Sequence, residues 1–155
     1  MDKSVIKKNK QLCAICAVLT RAEVLIMRTK EDVERYLIDL DSPYEILGNG
    51  VYKICDDADE DVEGIIVCVI DTIVVFSVRL MKVPTKNLEA FYRKLLELNA
   101  SDLVVGGYGI DNNNNVVITD TLQLENLDYN EFLASVESLA LALQKHYPVL
   151  REFRD

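Results

Sequence analysis

The stretch Leu88-Glu-Ala-Phe-Tyr-Arg-Lys-Leu-Leu-Glu-Leu-Asn99, followed by Gly109-Ile-Asp-Asn-Asn-Asn-Asn-Val-Val-Ile118 and Leu127-Asp-Tyr-Asn-Glu-Phe-Leu133, reads as helix, hairpin, helix. In the first piece Leu88, Phe91, Tyr92, Leu95 and Leu96 recur at the spacing of one helical face, with Pro84 and Thr85 ahead of them as a start signal. In the second, Leu103 to Ile110 and Val116 to Leu124 flank the turn Asp111 to Asn115, whose side chains favour turns through bonds to their own backbone. In the third, Asp128 and Glu131 have the spacing of a capping box, and Phe132, Val136, Leu139, Ala140 and Leu143 form the apolar face behind it. Pro148 is expected to stop that helix.

Upstream, Thr29 and Asp32 repeat the capping-box spacing, and Val33, Tyr36, Leu37 and Leu40 define a helix that should end before Pro43. Tyr44 to Leu47 and Val51 to Cys55 flank Gly48-Asn49-Gly50, a hairpin signal because Asn-Gly supplies the positive φ angles that tight turns need. After an acidic loop over residues 56–63, Ile65 to Ile70 and Ile73 to Met81 read as neighbouring antiparallel strands. Their near-continuous hydrophobicity predicts cover on both faces, from a helix or from another subunit. The fold class is therefore α+β, an antiparallel sheet of about five strands in the order α-β-β-β-α-β-β-α. Residues 27–155 read as one domain, and residues 1–26 as a basic and apolar appendage of uneven period.

Charge is unevenly divided. The net charge is −9, yet residues 1–30 carry +5, which leaves −14 on the rest. An acidic body repels phosphate backbones, so nucleic-acid binding is not expected, and no segment has the apolar length to cross a membrane. The four cysteines, Cys13, Cys16, Cys55 and Cys68, lack the density of a disulfide framework, and the run Leu12 to Leu19 is too short and too poorly flanked for a secretory signal. Reduced thiols in a cytoplasmic protein are expected.

No constellation of chemistry emerges. Cys13-Ala-Ile-Cys16 has the spacing of a redox dithiol or half a zinc site, but no second pair accompanies it and the single histidine, His146, is distant in sequence. Counting a calcium loop from Asp59 places Ile70 where the closing glutamate belongs, and the Asp111 loop places Leu122 there. Gly106-Gly-Tyr-Gly109 leads into a strand, not the helix a phosphate loop requires, and suits a bulge or close backbone approach. His146, near a helix end, reads as a surface residue. No catalytic, cofactor or metal residue is nominated. A thiol redox protein centred on Cys13 and Cys16 and a small-ligand-binding domain stand as alternatives to a binding domain.

Leu95-Leu-Glu-Leu-Asn99, Gly109-Ile-Asp with Val116-Val-Ile118, and the spacing of Leu122, Leu124, Leu127, Asp128, Glu131 and Phe132 together resemble the type III secretion chaperone-like superfamily, nearest to the YbjN and Tir chaperone (CesT-like) families. The resemblance spans about residues 29–147 and leaves the amino-terminal segment outside it. It implies a homodimer that binds an unidentified protein partner without catalysis or cofactor; secretion chaperones of this shape hold an extended effector segment along apolar grooves. It also nominates Phe91, Tyr92, Val104 and Tyr108 for the dimer interface, against the alternative that they are ordinary core.

Overall fold

The computed structural model describes residues 27–55 and 64–155. Helix α1 (Lys30–Asp39) leads into four strands, β1 (Tyr44–Gly48), β2 (Val51–Ile54), β3 (Ile65–Ile70) and β4 (Ile73–Lys82). Helix α2 (Leu88–Ser101), strands β5 (Gly107–Ile110) and β6 (Asn115–Gln123), helix α3 (Tyr129–Leu150) and a 3₁₀ turn (Arg151–Phe153) complete it. The strands form one antiparallel sheet in the order β1-β2-β3-β4-β6-β5. The sheet has six strands where about five were expected, because both arms of the Asn49-Gly50 hairpin pair, β1 on β2 and β2 on β3.

Local chemistry sets the helix starts. Asp32 turns its carboxylate back onto the Thr29 N–H at 2.9 Å, and Asp128 accepts the Glu131 N–H at 2.8 Å while Glu131 accepts the Asp128 N–H at 3.1 Å. Each contact satisfies an amide donor that helix geometry leaves without a partner.

Strand alternation sorts the sheet into two unlike faces. Tyr52, Val67 and Phe76 stand opposite one another on neighbouring strands and all are buried, as are Val74, Val78 and Ile118 on the same face. Helix α3 closes that face, the Phe132 ring lying 5.3 Å from Phe76, and Tyr36 of α1 reaches the same ring at 5.7 Å. Burying an aromatic or branched side chain of this size contributes roughly 1.5–3 kcal/mol, so this aromatic row is the main apolar contact between the sheet and two of the helices. Residues of the opposite face, among them Ile66, Cys68, Ile73 and Val75, are only half-buried. Cover on both faces was expected, and among the described residues one face alone is fully closed.

Two boundaries differ from expectation. Helix α3 runs through Pro148 to Leu150, because buried Tyr147 and fully buried Leu150 hold its last turn. The tail beyond adds anchors: Phe153 meets Phe91 edge-on at 5.4 Å, Arg154 donates to the Tyr147 hydroxyl at 3.2 Å, and the Asp155 carboxylate accepts from Thr85 N–H at 2.8 Å. Tertiary packing here outweighs the backbone bond that proline removes. Strand β5 starts at Gly107 and not at Leu103, since the Leu103 N–H bonds back to the Leu98 carbonyl and Gly106 turns the chain with φ +73°.

Candidate protein-binding surfaces

The four nominated interface residues occupy different environments. Phe91 has no exposed surface and stacks between Tyr92 and Phe153, so its ring belongs to the protomer's own core. Tyr92 is 38% exposed and Val104 82% exposed, whereas Tyr108 is half-buried. Around the exposed pair, Leu88, Tyr92 and Leu96 follow one another at i, i+4 and i+8 along the outer side of α2, Leu96 being 67% exposed. Contiguous apolar exposure of this kind on a surface helix makes the stripe a candidate contact surface.

Tyr108 ties three elements together. Its hydroxyl lies 2.9 Å from His146 Nδ1 on α3, its N–H donates to Asn99 Oδ1 at 2.7 Å, and its carbonyl accepts from Asn99 Nδ2 at 3.4 Å. Burial pushes the phenol's pKa well up and the imidazole's below its ordinary value. His146 is thus a buried residue and not the surface residue its position near a helix end implied. The signal was present in the spacing: Leu139, Leu143, His146 and Leu150 continue the buried stripe of α3.

The two sheet edges are managed differently. At β5 the Asn99 carboxamide takes up the outward-facing backbone groups of Tyr108, which blunts that edge. Among the described residues strand β1, at the other end, pairs on one side only; it carries Glu45 and a register shift between Ile46 and Gly48, and exposes Ile46 (61%) and Leu47 (54%). Edge strands in soluble proteins are ordinarily protected by charge, proline or covering elements, because unpaired backbone groups template further strands. Two exposed apolar side chains on an edge that no described residue pairs with are the feature a strand-adding partner would use. Nothing in the spacing of Tyr44 to Leu47 had marked these side chains as exposed.

Among the described residues no group of three or more His, Cys, Asp or Glu side chains is placed to hold a metal ion. The two calcium-loop candidates divide: residues 56–63 lie outside the described residues, and Asp111 accepts from Asn113 N–H, Asn115 N–H and Asn115 Nδ2 at 2.7–2.9 Å, which makes it a turn-former. Those bonds hold the Asp111 carboxyl below its ordinary range. Cys13 and Cys16 also lie outside the described residues, and no described helix is long and apolar enough to cross a membrane.

Solved structures share this architecture. The ExoU–SpcU heterodimer from the type III secretion system of Pseudomonas aeruginosa matches with a TM-score of 0.58 at 15% identity, over 78% of this chain and 96% of that one. YbjN from E. coli matches with 0.57 at 17% identity, over 76% and 90%. The Yersinia pestis type III secretion chaperone SycH, solved with a fragment of YscM2, matches with 0.51 at 19% identity, over 79% and 99%. No curated protein matches the sequence. At these identities the similarity is one of fold. The CesT_Tir_1 family model matches residues 26–155, and the chain belongs to the CesT_Tir_1 family.

Proposed function

We propose that the protein is a non-catalytic, cytoplasmic chaperone-like or regulatory adaptor that acts as a homodimer and binds an extended segment of another protein at the β1 edge. The observation that carries this reading is the open, apolar edge at Ile46 and Leu47, opposite an edge that Asn99 closes. Main-chain pairing supplies affinity in strand addition, and pockets for alternate side chains supply selectivity. Two of the fold relatives were solved as complexes with another protein, SpcU with ExoU and SycH with YscM2, which supports a polypeptide partner. The second surface, Leu88, Tyr92 and Leu96 of α2 with Val104, is assigned to the dimer.

Two measurements test this. Light scattering over a concentration series should show twice the monomer mass, and a monomer at high concentration removes the dimer. A photoreactive residue at position 45 should cross-link a discrete partner segment in cells, and Ile46→Lys with Leu47→Lys should abolish the product while leaving secondary structure intact. Cross-linking undiminished by both lysines would place the partner elsewhere.

A further inference from the structure

The sheet face turned away from α3 carries an apolar patch that the protomer's core does not use. Register places Val51, Cys68 and Val75 side by side on β2, β3 and β4, and sets Ile70 opposite Ile73 in the row towards the β3–β4 turn. Ile66 ends the patch the other way, flanked in register by Lys53 of β2 and Ser77 of β4, and β6 beyond carries Thr119, Thr121 and Gln123. A solvated antiparallel face would alternate polar residues along β3 itself. Here every outward position of β3 is Ile or Cys, and each is half-buried or exposed.

The chain enters the described domain beside this patch. The Arg28 N–H bonds to the Glu125 carbonyl, one residue beyond Leu124, whose own N–H bonds to Thr72 in the turn between Ile70 and Ile73. Preceding that point are residues 1–26, which include Leu12, Ile15, Val18, Leu19 and Leu25. We propose that this amino-terminal segment docks through its apolar side chains on the outer sheet face around Cys68 and Val75. Reach permits it: the ten residue steps from Cys16 to Ile26 span roughly 15 Å as a helix and about 33 Å when extended, while Cys68 lies two residues, about 7 Å, along β3 from Ile70. Tethering favours this occupant over a second copy, because a short linker holds a segment near its site at an effective concentration on the order of millimolar. The family match, which begins at residue 26, leaves the segment free to serve this chain alone.

The native thiols test the proposal in the full chain. Cys13 and Cys16 lie in the segment, Cys68 at the centre of the patch, and Cys55 just past the far end of β2 as an internal reference. Protein at low micromolar concentration is treated with a short bis-maleimide, and the linked peptides are identified by mass spectrometry. The expected result is an intramolecular link from Cys13 or Cys16 to Cys68 in clear excess over links to Cys55, falling to the Cys55 level in Val75→Lys, a half-buried outer-face position outside the core. Equal yields at Cys68 and Cys55 would show that the segment has no preference for the patch around Cys68. Links from Cys68 to Cys68 of a second chain would give the patch to another copy, and either outcome overturns the assignment.

Discussion

The carboxamide of Asn99 on α2 occupies the place of a neighbouring strand beside Tyr108: Oδ1 accepts the Tyr108 N–H at 2.7 Å, and Nδ2 donates to the Tyr108 carbonyl at 3.4 Å. One side chain therefore does what a residue of a paired strand would do, fixing the distance between the end of α2 and β5. Asn99→Ala removes both bonds and should cost about 1–2 kcal/mol, since each net hydrogen bond contributes roughly 0.5–1.5 kcal/mol. Asn99→Asp keeps the acceptor and loses the donor, so it should fall between. Urea unfolding midpoints order the three proteins, and hydrogen exchange at the Tyr108 amide should quicken in the alanine variant. An unchanged midpoint and amide would mean that water replaces the carboxamide without loss.

The Tyr108–His146 pair predicts how stability responds to acid. Burial is the leading cause holding the His146 pKa down, with Lys145 and Lys94 adding to it and Asp102 on the facing side opposing it. A neutral ring accepts the Tyr108 hydroxyl at Nδ1, and a protonated ring cannot. Because the unfolded chain takes up its proton near pH 6.5 and the folded chain only at lower pH, the contribution is complete above about pH 6.5 and is lost as pH falls towards the folded value. His146→Gln should flatten this part of the profile. Thermal midpoints between pH 7.5 and 5.5 check it, and equal slopes for the two proteins would remove His146 as the cause.

Much of the fold was legible because its signals are local. Thr29 with Asp32 and Asp128 with Glu131 declare helix starts through short contacts within one turn, and the near-continuous β-branched runs of β3 and β4 declare strands. What escaped was set by distant contacts. Pro148 reads as a stop, but Leu150 and Phe153 are held by the core and carry the helix past it. His146 reads as surface from its place near a helix end, yet Tyr108, 38 residues away in sequence, supplies the polar partner that lets it be buried. The open edge at Ile46 and Leu47 was invisible for the same reason, since exposure on a strand depends on which neighbours the sheet provides.

Gly106 is a position where the backbone admits no side chain. Its φ is +73°, and a Cβ there would lie 2.4 Å from the Thr119 carbonyl oxygen, a backbone atom of the paired strand. Alanine would face both an unfavourable φ and a contact that only movement of β5 away from β6 can relieve. Gly106→Ala should therefore destabilise by more than the 1 kcal/mol or so that the φ strain alone imposes. Gly107→Ala, whose Cβ would meet only the Asn99 side chain at 3.9 Å, serves as the matched control. Similar midpoints for the two variants would show that β5 gives way freely.

Leu96 and Phe91 separate association from folding on a single helix. Phe91 is fully buried and contacts Phe153, so Phe91→Ala should cost about 3–5 kcal/mol of protomer stability through the cavity it leaves. Leu96, five residues on and 67% exposed, touches little within the protomer. Leu96→Glu should leave the protomer's stability within about 0.5 kcal/mol, the usual range for surface changes. If the α2 stripe forms the dimer, the same glutamate places a charge in an apolar contact and should weaken self-association by an order of magnitude or more, since burying an unpaired charge is costly. Sedimentation equilibrium reads the association, and denaturant unfolding at a concentration where wild type is monomeric reads the stability. A glutamate variant that associates as well as wild type would move the dimer contact off α2, towards Val104 and the Ile110 end of β5.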